Sequence, residues 1–389
     1  MGKKMKNIKE YLQQHDDEIL GDIKKLVLAE SPSQDKTAVD SCGEVLQSIF
    51  QQRLGITADV EHQDQLGNHL KFTLGSEGPQ TTVLGHFDTV WDIGELPLRE
   101  EDGKLYGPGI LDMKSGLIQA IWAVRALAQR DLIKDQRIVF LCNSDEEIGS
   151  VSSSDWIARH AQGSAQVLVV EPAVAGSGAL KIARKGTGRY DVTINGLAAH
   201  AGNNPEEGIS AVQEMAQQIL FLHGLNAPER GTTVNVGIAS GGNRINVVAD
   251  KAVLGIDTRV THAEEAQRIH QAIMQITPFT PGITLQVSGE QSRPPMQQTP
   301  ASLKMLERAQ RVAQALGFSV EGKAVGGGSD GNFTAAMGLP TLDGLGATGA
   351  GIHARHEHIL IANVASRAAL VAGMILGDAL PEGETPCHK

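Results

Sequence analysis

The sequence predicts an α/β protein with a mostly parallel sheet and one inserted domain of ferredoxin-like, βαββαβ order. Three short apolar runs indicate the parallel sheet: TTVLG at 81–85, RIVFLCN at 137–143 and QVLVV at 166–170. Each run ends in polar residues, which is typical of strands that are buried on both faces of a parallel sheet. A helical pattern at 116–133 separates the first two runs, and strands that alternate with helices indicate an α/β sheet.

A change of pattern near residue 186 indicates the inserted domain. The elements predicted there are, in order, a strand at 188–194, a helix at 208–222, strands at 232–239 and 247–260, a helix at 262–276 and a strand at 283–288. This is the order of ferredoxin-like domains. The chain therefore divides into a first α/β segment at 1–185, the inserted domain at 186–292 and a second α/β segment at 293–389.

Helical patterns also open and close the chain. Apolar residues at helical spacing predict a single amphipathic helix over 5–29. In the second α/β segment we expect a helix at 301–316, a strand at 340–345 and a long helix at 362–379.

Composition and charge exclude several classes of protein. The 34 basic and 45 acidic residues give a net charge of −11, which argues against a protein that coats nucleic acid or anionic membranes. No stretch approaches the ~20 apolar residues of a membrane span. The 3 cysteines (Cys42, Cys142 and Cys387) are scattered, which fits a reducing compartment. Because the N-terminus lacks the apolar core of a signal peptide, we expect a cytoplasmic enzyme, with a processed secreted form as the alternative.

Acidic residues and histidines follow the predicted parallel strands. His86 and Asp88 come after the first run, Glu146 and Glu147 after the second, and Glu171 directly after the third. Binding crevices of open α/β sheets form at these carboxyl ends of strands. Taken singly, each residue has an ordinary structural explanation, but one shared site explains all five placements.

Two glycine-rich loops add further candidates, Asp112 in YGPGILDMKSG and His353 in GLGATGAGIHARHEH. Imidazole and carboxylate groups together favour hard or borderline divalent metals, and two metals can share a bridging carboxylate. Cys142 lies within a predicted strand, so a thiol nucleophile is not expected. The pattern therefore predicts a metal centre.

Six motifs that carry most of these residues resemble, in order, the zinc-dependent carboxypeptidase/aminoacylase family of metallopeptidases. They are GHFDTVW (85–91), YGPGILDMKSG (106–116), SDEEIGS (144–150), VVEP (169–172), GLAAHAGNNPEEG (196–208) and GGGSDGN (326–332). The resemblance covers nearly the whole chain, and within the family it is greatest to the glutamate carboxypeptidases of the carboxypeptidase G type.

The resemblance implies two Zn²⁺ ions per chain, with Co²⁺ or Mn²⁺ as possible substitutes. It makes His86 and Glu171 ligands of one metal, Glu147 and His353 ligands of the other, and Asp112 the bridging carboxylate. Of the three histidines in the C-terminal loop, the family pattern favours His353 as the metal ligand.

Further roles follow from the same resemblance. Asp88 would fix the ring of His86, and Glu146 would be the general base that takes a proton from the metal-bound water to give a metal-bridging hydroxide. A non-proline cis peptide is expected between Asp112 and Met113.

The histidine assignment in the C-terminal loop has one alternative. His353 precedes Glu357 by four residues, as the family pattern requires of its ligand, and His356 is the competing candidate. His356 and His358 are otherwise expected at the surface or behind the ligands.

The inserted domain resembles the family's dimerisation or lid domain, which implies a homodimer. His200 would stabilise the oxyanion in the partner subunit's site, while Asn246 and Arg259 would bind substrate. An arginine offers two-pronged recognition of a carboxylate. Gly328 and Ser329 would add donors to the same carboxylate.

The sequence therefore predicts a dizinc metallo-exopeptidase that hydrolyses the amide bond to a C-terminal amino acid, with glutamate as the best guess. Glu171 favours the carboxypeptidases, because the aminopeptidases and dipeptidases of the family often carry Asp there. The substrate would be a small peptide or an N-acyl amino acid. The alternatives are an aminoacylase or dipeptidase that uses the same site and, more remotely, a non-catalytic dimer that binds metal or ligand. A hydride-transfer enzyme is disfavoured because GPGILDMKSG lacks the G-x-G-x-x-G spacing.

Overall fold

The computed structural model describes residues 2–377, which form two compact units. Of the described residues, the larger unit contains those up to Ala183, Gln298–Ala324 and those from Ser329 to residue 377. The smaller unit contains Arg184–Gln297 and Val325–Gly328. Cys387 and the end of the predicted helix at 362–379 lie outside the described residues.

The helices of the described chain are α1 (Gly2–Gln14), α2 (Asp16–Leu28), α3 (Lys36–Leu54), α4 (Ser115–Ala128), α5 (Ser154–Ala161), α6 (Ala211–His223), α7 (Ala263–Met274), α8 (Pro300–Leu316), α9 (Gly331–Ala336) and α10 (Val364–Leu376). The prediction of a single helix over 5–29 is wrong, because the structure has two helices that are separated at His15. The acidic residues that follow His15 favour the start of a new helix, since they lie at its positive N-terminal end.

Helix α3 was not predicted from the sequence, although its ends carry recognisable signals. The Asp35 side chain caps its N-terminus by accepting a hydrogen bond from the N–H of Ala38 at 3.0 Å. Gly55 ends it in the left-handed conformation with φ 71°.

The strands of the described chain are β1 (Ala58–Glu61), β2 (His69–Leu74), β3 (Gln80–His86), β4 (Arg99–Glu101), β5 (Lys104–Tyr106), β6 (Arg137–Asn143), β7 (Gln166–Val169), β8 (Leu180–Arg184), β9 (Gly186–Asn195), β10 (Thr233–Gly241), β11 (Lys251–Val260), β12 (Thr284–Arg293), β13 (Gly322–Val325), β14 (Thr341–Leu342), β15 (Gly349–Ala350) and β16 (His358–Leu360).

The main sheet of the larger unit has the strand order β1-β2-β6-β3-β7-β14. Strands β6, β3, β7 and β14 run parallel, whereas β1 and β2 add an antiparallel edge. The predicted mostly parallel sheet is confirmed, and the three apolar runs are its central strands. The edge strands β1 and β2 escaped prediction because they lack such a run.

Helices bury both faces of this sheet. Trp122 on α4 and Trp156 on α5 are among the largest fully buried side chains of the described residues. Phe50 of α3 stacks on Phe72 of β2 with a centroid distance of 3.6 Å. Among residues 2–377, no helix has both the length and the apolar composition needed to cross a bilayer.

A second sheet of the larger unit, of order β15-β16-β5-β4, supports the C-terminal loop. His358 pairs with Tyr106 across β16 and β5, and their rings lie 5.1 Å apart. His358 is buried in this sheet, so of its two expected places, at the surface or behind the ligands, the surface is ruled out.

The smaller unit has one antiparallel sheet of order β10-β11-β9-β12. Helices α6 and α7 pack against this sheet around a core that includes Tyr190, Val192, Ile194, Leu254 and Ile256. The predicted βαββαβ order is confirmed.

Candidate metal centre

The carboxyl ends of three neighbouring parallel strands carry the predicted acidic and histidine residues. His86 is the last residue of β3, and Glu171 follows β7. Glu146 and Glu147 form a short 3₁₀ turn beyond β6. Since β3 lies between β6 and β7, these residues all lie at the carboxyl ends of neighbouring strands, as the sequence predicts.

The glycine-rich loop before α4 brings Asp112 to the same edge. Gly109 introduces the turn with φ 66°, a conformation that favours glycine. At Gly116, a Cβ atom would lie 1.9 Å from the carbonyl oxygen of Val170, so only glycine allows α4 to start so close to the sheet. The peptide bond between Asp112 and Met113 is cis, which confirms that prediction.

A first cluster of potential ligands consists of His86, Asp112 and Glu171. The Nε2 atom of His86 lies 3.3 Å from Oδ1 of Asp112 and 3.6 Å from Oε1 of Glu171. One donor atom from each residue lies within 4.8 Å of the others. All three side chains are largely buried.

A second cluster consists of Asp112, Glu147 and His353. The Nε2 atom of His353 lies 3.4 Å from Oδ2 of Asp112 and 3.1 Å from Oε2 of Glu147. Asp112 thus directs one oxygen into each cluster. His353, which has φ 57°, is the loop histidine that joins this cluster, whereas His356 belongs to neither group of potential ligands.

Asp88 connects the first cluster to the turn that carries Glu146. Its carboxylate is fully buried and lies 3.3 Å from Nδ1 of His86. It also accepts the N–H groups of Glu146 and Glu147, each at 3.2 Å, and the Ser33 hydroxyl at 2.6 Å. Burial alone would raise the pKa of Asp88, but the bonds from His86 and Ser33 outweigh it and lower that pKa.

The second cluster holds more negative charge than its own groups balance. Burial and the neighbouring Asp112 raise the pKa of Glu147 to about 7, although His353 opposes this. Hydrogen bonds to Asp112 and Glu147 raise the pKa of His353 to about 10. Together, the two clusters bring three carboxylates and two imidazoles to a place where additional positive charge would be stabilising.

These donors fit divalent metal ions. Imidazole nitrogens and carboxylate oxygens are ligands of Zn²⁺ and related ions, and Asp112 is shared in the manner of a bridging ligand. Cys142 is buried within β6, and burial raises the pKa of its thiol, so it is unsuited to act as a nucleophile.

Glu357 is a buried residue whose contacts the sequence did not reveal. Its carboxylate accepts the indole N–H of Trp91 at 2.6 Å and the main-chain N–H groups of Leu111 and Asp112 at 2.9 and 3.2 Å. Its position after His353 was the only available signal, and that signal does not indicate a partner some 245 residues away.

Two predicted substrate-site residues lie on adjacent segments of the smaller unit. His200 is exposed, and its Nδ1 accepts the N–H groups of Gly202 and Asn203 at 3.1 and 3.0 Å. A neutral ring therefore carries its proton on Nε2, where it can donate a hydrogen bond. Asn246 is also exposed, and its main-chain carbonyl oxygen accepts the N–H of Ala201 at 3.0 Å.

The other predicted substrate-binding groups already have partners. Arg259 donates to both carboxylate oxygens of Asp257, at 2.9 and 3.1 Å. The carbonyl oxygen of Gly328 accepts a bond from Arg184 at 2.9 Å. The Ser329 hydroxyl is buried and donates to Asp343 at 2.6 Å. Their roles toward a substrate stay predictions.

The chain is similar to known proteins over most of its length. The model of peptidase family M20/M25/M40 matches residues 82–377. Carboxypeptidase G2 of Pseudomonas sp. (strain RS-16) is 28% identical over 372 residues, which cover 92% of this chain and 88% of that protein. A succinyl-diaminopimelate desuccinylase of Gluconacetobacter diazotrophicus is 26% identical over 311 residues, which cover 75% of this chain and 79% of that protein.

The fold also has counterparts among solved structures. The crystal structure of aminopeptidase PepT from Bacillus cereus superposes with a TM-score of 0.75 at 23% identity, covering 93% of this chain and 98% of that one. The family resemblance of the six sequence motifs is thereby confirmed, together with the α/β fold.

Proposed function

We propose that this chain, which belongs to peptidase family M20/M25/M40 and is a metallopeptidase, releases C-terminal amino acids, glutamate above others, with the help of two Zn²⁺ ions. The observation that carries the proposal is the pair of ligand clusters that share Asp112, with Glu146 directly before the ligand candidate Glu147 in the same short turn. The similarity to carboxypeptidase G2 over 92% of the chain supports the choice of a carboxypeptidase.

The proposed centre assigns one ion to His86, Asp112 and Glu171 and the other to Asp112, Glu147 and His353. Ions bound there would act as Lewis acids toward the scissile carbonyl and would make the attacking water more acidic.

Glu146 is assigned the proton transfers. It accepts a proton from the attacking water and delivers it to the leaving nitrogen. Its neighbour Glu147 is turned toward His353, so the adjacent pair divides metal binding and proton transfer between two side chains. Asp88 supports both tasks, because it fixes the His86 ring and the main chain of the 146–147 turn.

The smaller unit is proposed to be the dimerisation or lid domain, spanning the predicted segment 186–292. The Nε2–H group of His200 would donate to the developing oxyanion in the partner subunit of a homodimer. Arg259 would bind the substrate's carboxylate in place of Asp257, with Asn246, Gly328 and Ser329 as further contacts. This exchange is inexpensive, since a partly exposed ion pair contributes only about 0–1 kcal/mol.

A second candidate is an amidohydrolase that acts on N-acyl amino acids. The desuccinylase relative, with 26% identity over 75% of this chain, favours it. Both candidates use the same metal centre and differ in the groups on either side of the cleaved amide bond.

The deciding experiment is product detection by mass spectrometry on protein loaded with Zn²⁺. The panel contains dipeptides and N-acyl amino acids that differ only in the C-terminal residue, each with and without a chelator. Chelator-sensitive release confined to Glu or Asp would support the glutamate carboxypeptidase. Release of mainly apolar residues from N-acyl substrates would favour the amidohydrolase, and no release from any substrate would contradict both.

A further inference from the structure

Glu357 occupies an unusual place for a buried carboxylate. Its side chain is fully buried, and its two oxygens accept N–H groups from different elements. Oε1 accepts those of Leu111 and Asp112, at 2.9 and 3.2 Å, and Oε2 accepts the indole N–H of Trp91 at 2.6 Å. The partners are neutral dipoles, so burial raises the pKa of Glu357 despite these bonds.

These contacts join two of the three elements that supply the second ligand cluster, namely the Asp112 turn and the His353 loop. The main chain of Glu357 belongs to the loop that carries His353, and a bond of 2.8 Å from its N–H to the carbonyl of Ala354 closes that loop. Its side chain holds the main chain of Asp112, the ligand common to both clusters. One residue therefore fixes the distance between the Asp112 turn and the His353 loop.

The two clusters depend on this link to different degrees. His86 ends the central strand β3, and Glu171 follows β7, so the sheet itself holds these ligands. His353 lies in a loop, and its side chain is 49% exposed. The loop geometry that Glu357 maintains is thus a larger part of what places His353 than of what places His86 or Glu171.

We propose that Glu357 is a positioning residue that sets the metal affinity of the Asp112–Glu147–His353 cluster. It acts through the main chain of Asp112 and the loop of His353, and it touches neither metal nor substrate. This inference rests on the proposed two-metal centre. Residues that orient metal ligands in this way typically change metal affinity about 10–100-fold when they are replaced.

The test is metal binding by Glu357→Gln, which keeps the side-chain size but offers only one acceptor oxygen, so that its NH₂ group opposes either the main-chain donors or the indole donor of Trp91. Zn²⁺ binding is measured by calorimetry against a competing chelator, and the Co²⁺-loaded protein by its visible absorption. We expect one of the two binding steps to weaken about 10–100-fold, the other to change much less, and the Co²⁺ spectrum to shift.

Glu214 in the smaller unit provides a matched control. It is also buried, and it accepts two consecutive main-chain N–H groups, those of Phe279 and Thr280, at 3.0 and 2.8 Å. Glu214→Gln makes the same chemical change away from the metal centre, so both binding steps and the spectrum should match the wild type.

A milder variant keeps the test valid if Glu357→Gln does not fold. Trp91→Phe removes the indole donor but leaves both main-chain bonds, and it should weaken the same step by a smaller factor. Equal weakening of both steps, or wild-type affinities in both variants, would overturn the positioning role alone. A wild-type protein that binds only one metal would overturn the two-metal proposal as well.

Discussion

Buried carboxylates have opposite surroundings in the two units. In the smaller unit, Glu265 accepts bonds from Arg268 at 2.7 Å, Thr232 at 2.7 Å and Arg230 at 3.2 Å. In the larger unit, Asp112 and Glu147 face each other and share His353. The first arrangement balances its charge within the fold, whereas the second accumulates negative charge.

The pKa values show what this difference means. Hydrogen bonds from Arg268 and Thr232 lower the pKa of Glu265 to about 2, whereas burial and the nearby Asp112 raise that of Glu147 to about 7. The pKa values of two glutamates in one chain are thus shifted in opposite directions. A carboxylate that is neutralised locally contributes to stability, and a group of carboxylates that is not neutralised indicates where the protein binds cations.

The most severe test of this contrast is Glu146→Ala. Glu146 stands beside the charged cluster but is in neither group of potential ligands, so its loss should remove proton transfer and leave the metals bound. We expect kcat to fall about 10²–10⁴-fold with unchanged metal content, measured by steady-state kinetics and elemental analysis. Glu147→Ala is the control, since it should also lose metal. Normal turnover of Glu146→Ala would remove Glu146 from the role of general base.

His200→Ala tests whether the smaller unit is purely structural. If the Nε2–H of His200 stabilises an oxyanion, its loss should lower kcat about 10²–10³-fold while metal content and thermal stability stay the same. His223→Ala, another exposed histidine of the same unit, should have no effect on kcat. Equal rates for His200→Ala and the wild type would confine the chemistry to the larger unit.

The smallest expected effect is on stability, in Glu265→Gln. A fall in pKa from 4.5 to about 2 corresponds to roughly 3 kcal/mol, and the partial exposure of Arg230 and Arg268 reduces this to about 1–2 kcal/mol. Because the folded pKa is lowered, this stabilisation is present above pH 4.5 and disappears as the pH falls toward 2.

Urea unfolding at pH 7 and at pH 3 measures the Glu265→Gln effect, and Glu264→Gln is the exposed neighbouring control. The variant should lose more stability at pH 7 than at pH 3 and keep its kcat. A loss that does not depend on pH would show that packing, and not charge, explains the role of Glu265.

The sequence predicts those parts of the molecule in which one local pattern determines the structure. Apolar runs followed by His86, Glu147 and Glu171 located both the central strands and the potential ligands, because parallel strands bring their carboxyl ends together. The ferredoxin-like order was recognisable from alternating elements. The resemblance to a known family added what spacing alone left open, such as the choice of His353.

Other features depend on contacts between distant residues and therefore escaped prediction. Strand β2 is defined by its pairing with β6, and Glu357 by hydrogen bonds to a turn far away in the chain. Arg259 donates to Asp257, and the residue types alone do not determine this choice of partner. The pKa values of Glu147 and His353 likewise depend on burial and on distances to neighbouring groups.

The buried carboxylate of Asp88 has an evolutionary consequence. It contacts the His86 ring on one side and accepts the main-chain N–H groups of Glu146 and Glu147 on the other, so a substitution there would disturb the proposed metal ligation and the proposed proton transfer together. Natural selection cannot adjust one of these properties through Asp88 without altering the other. Divergence toward new substrates is therefore expected at positions that these hydrogen bonds do not connect, and the metal centre should be inherited as one unit.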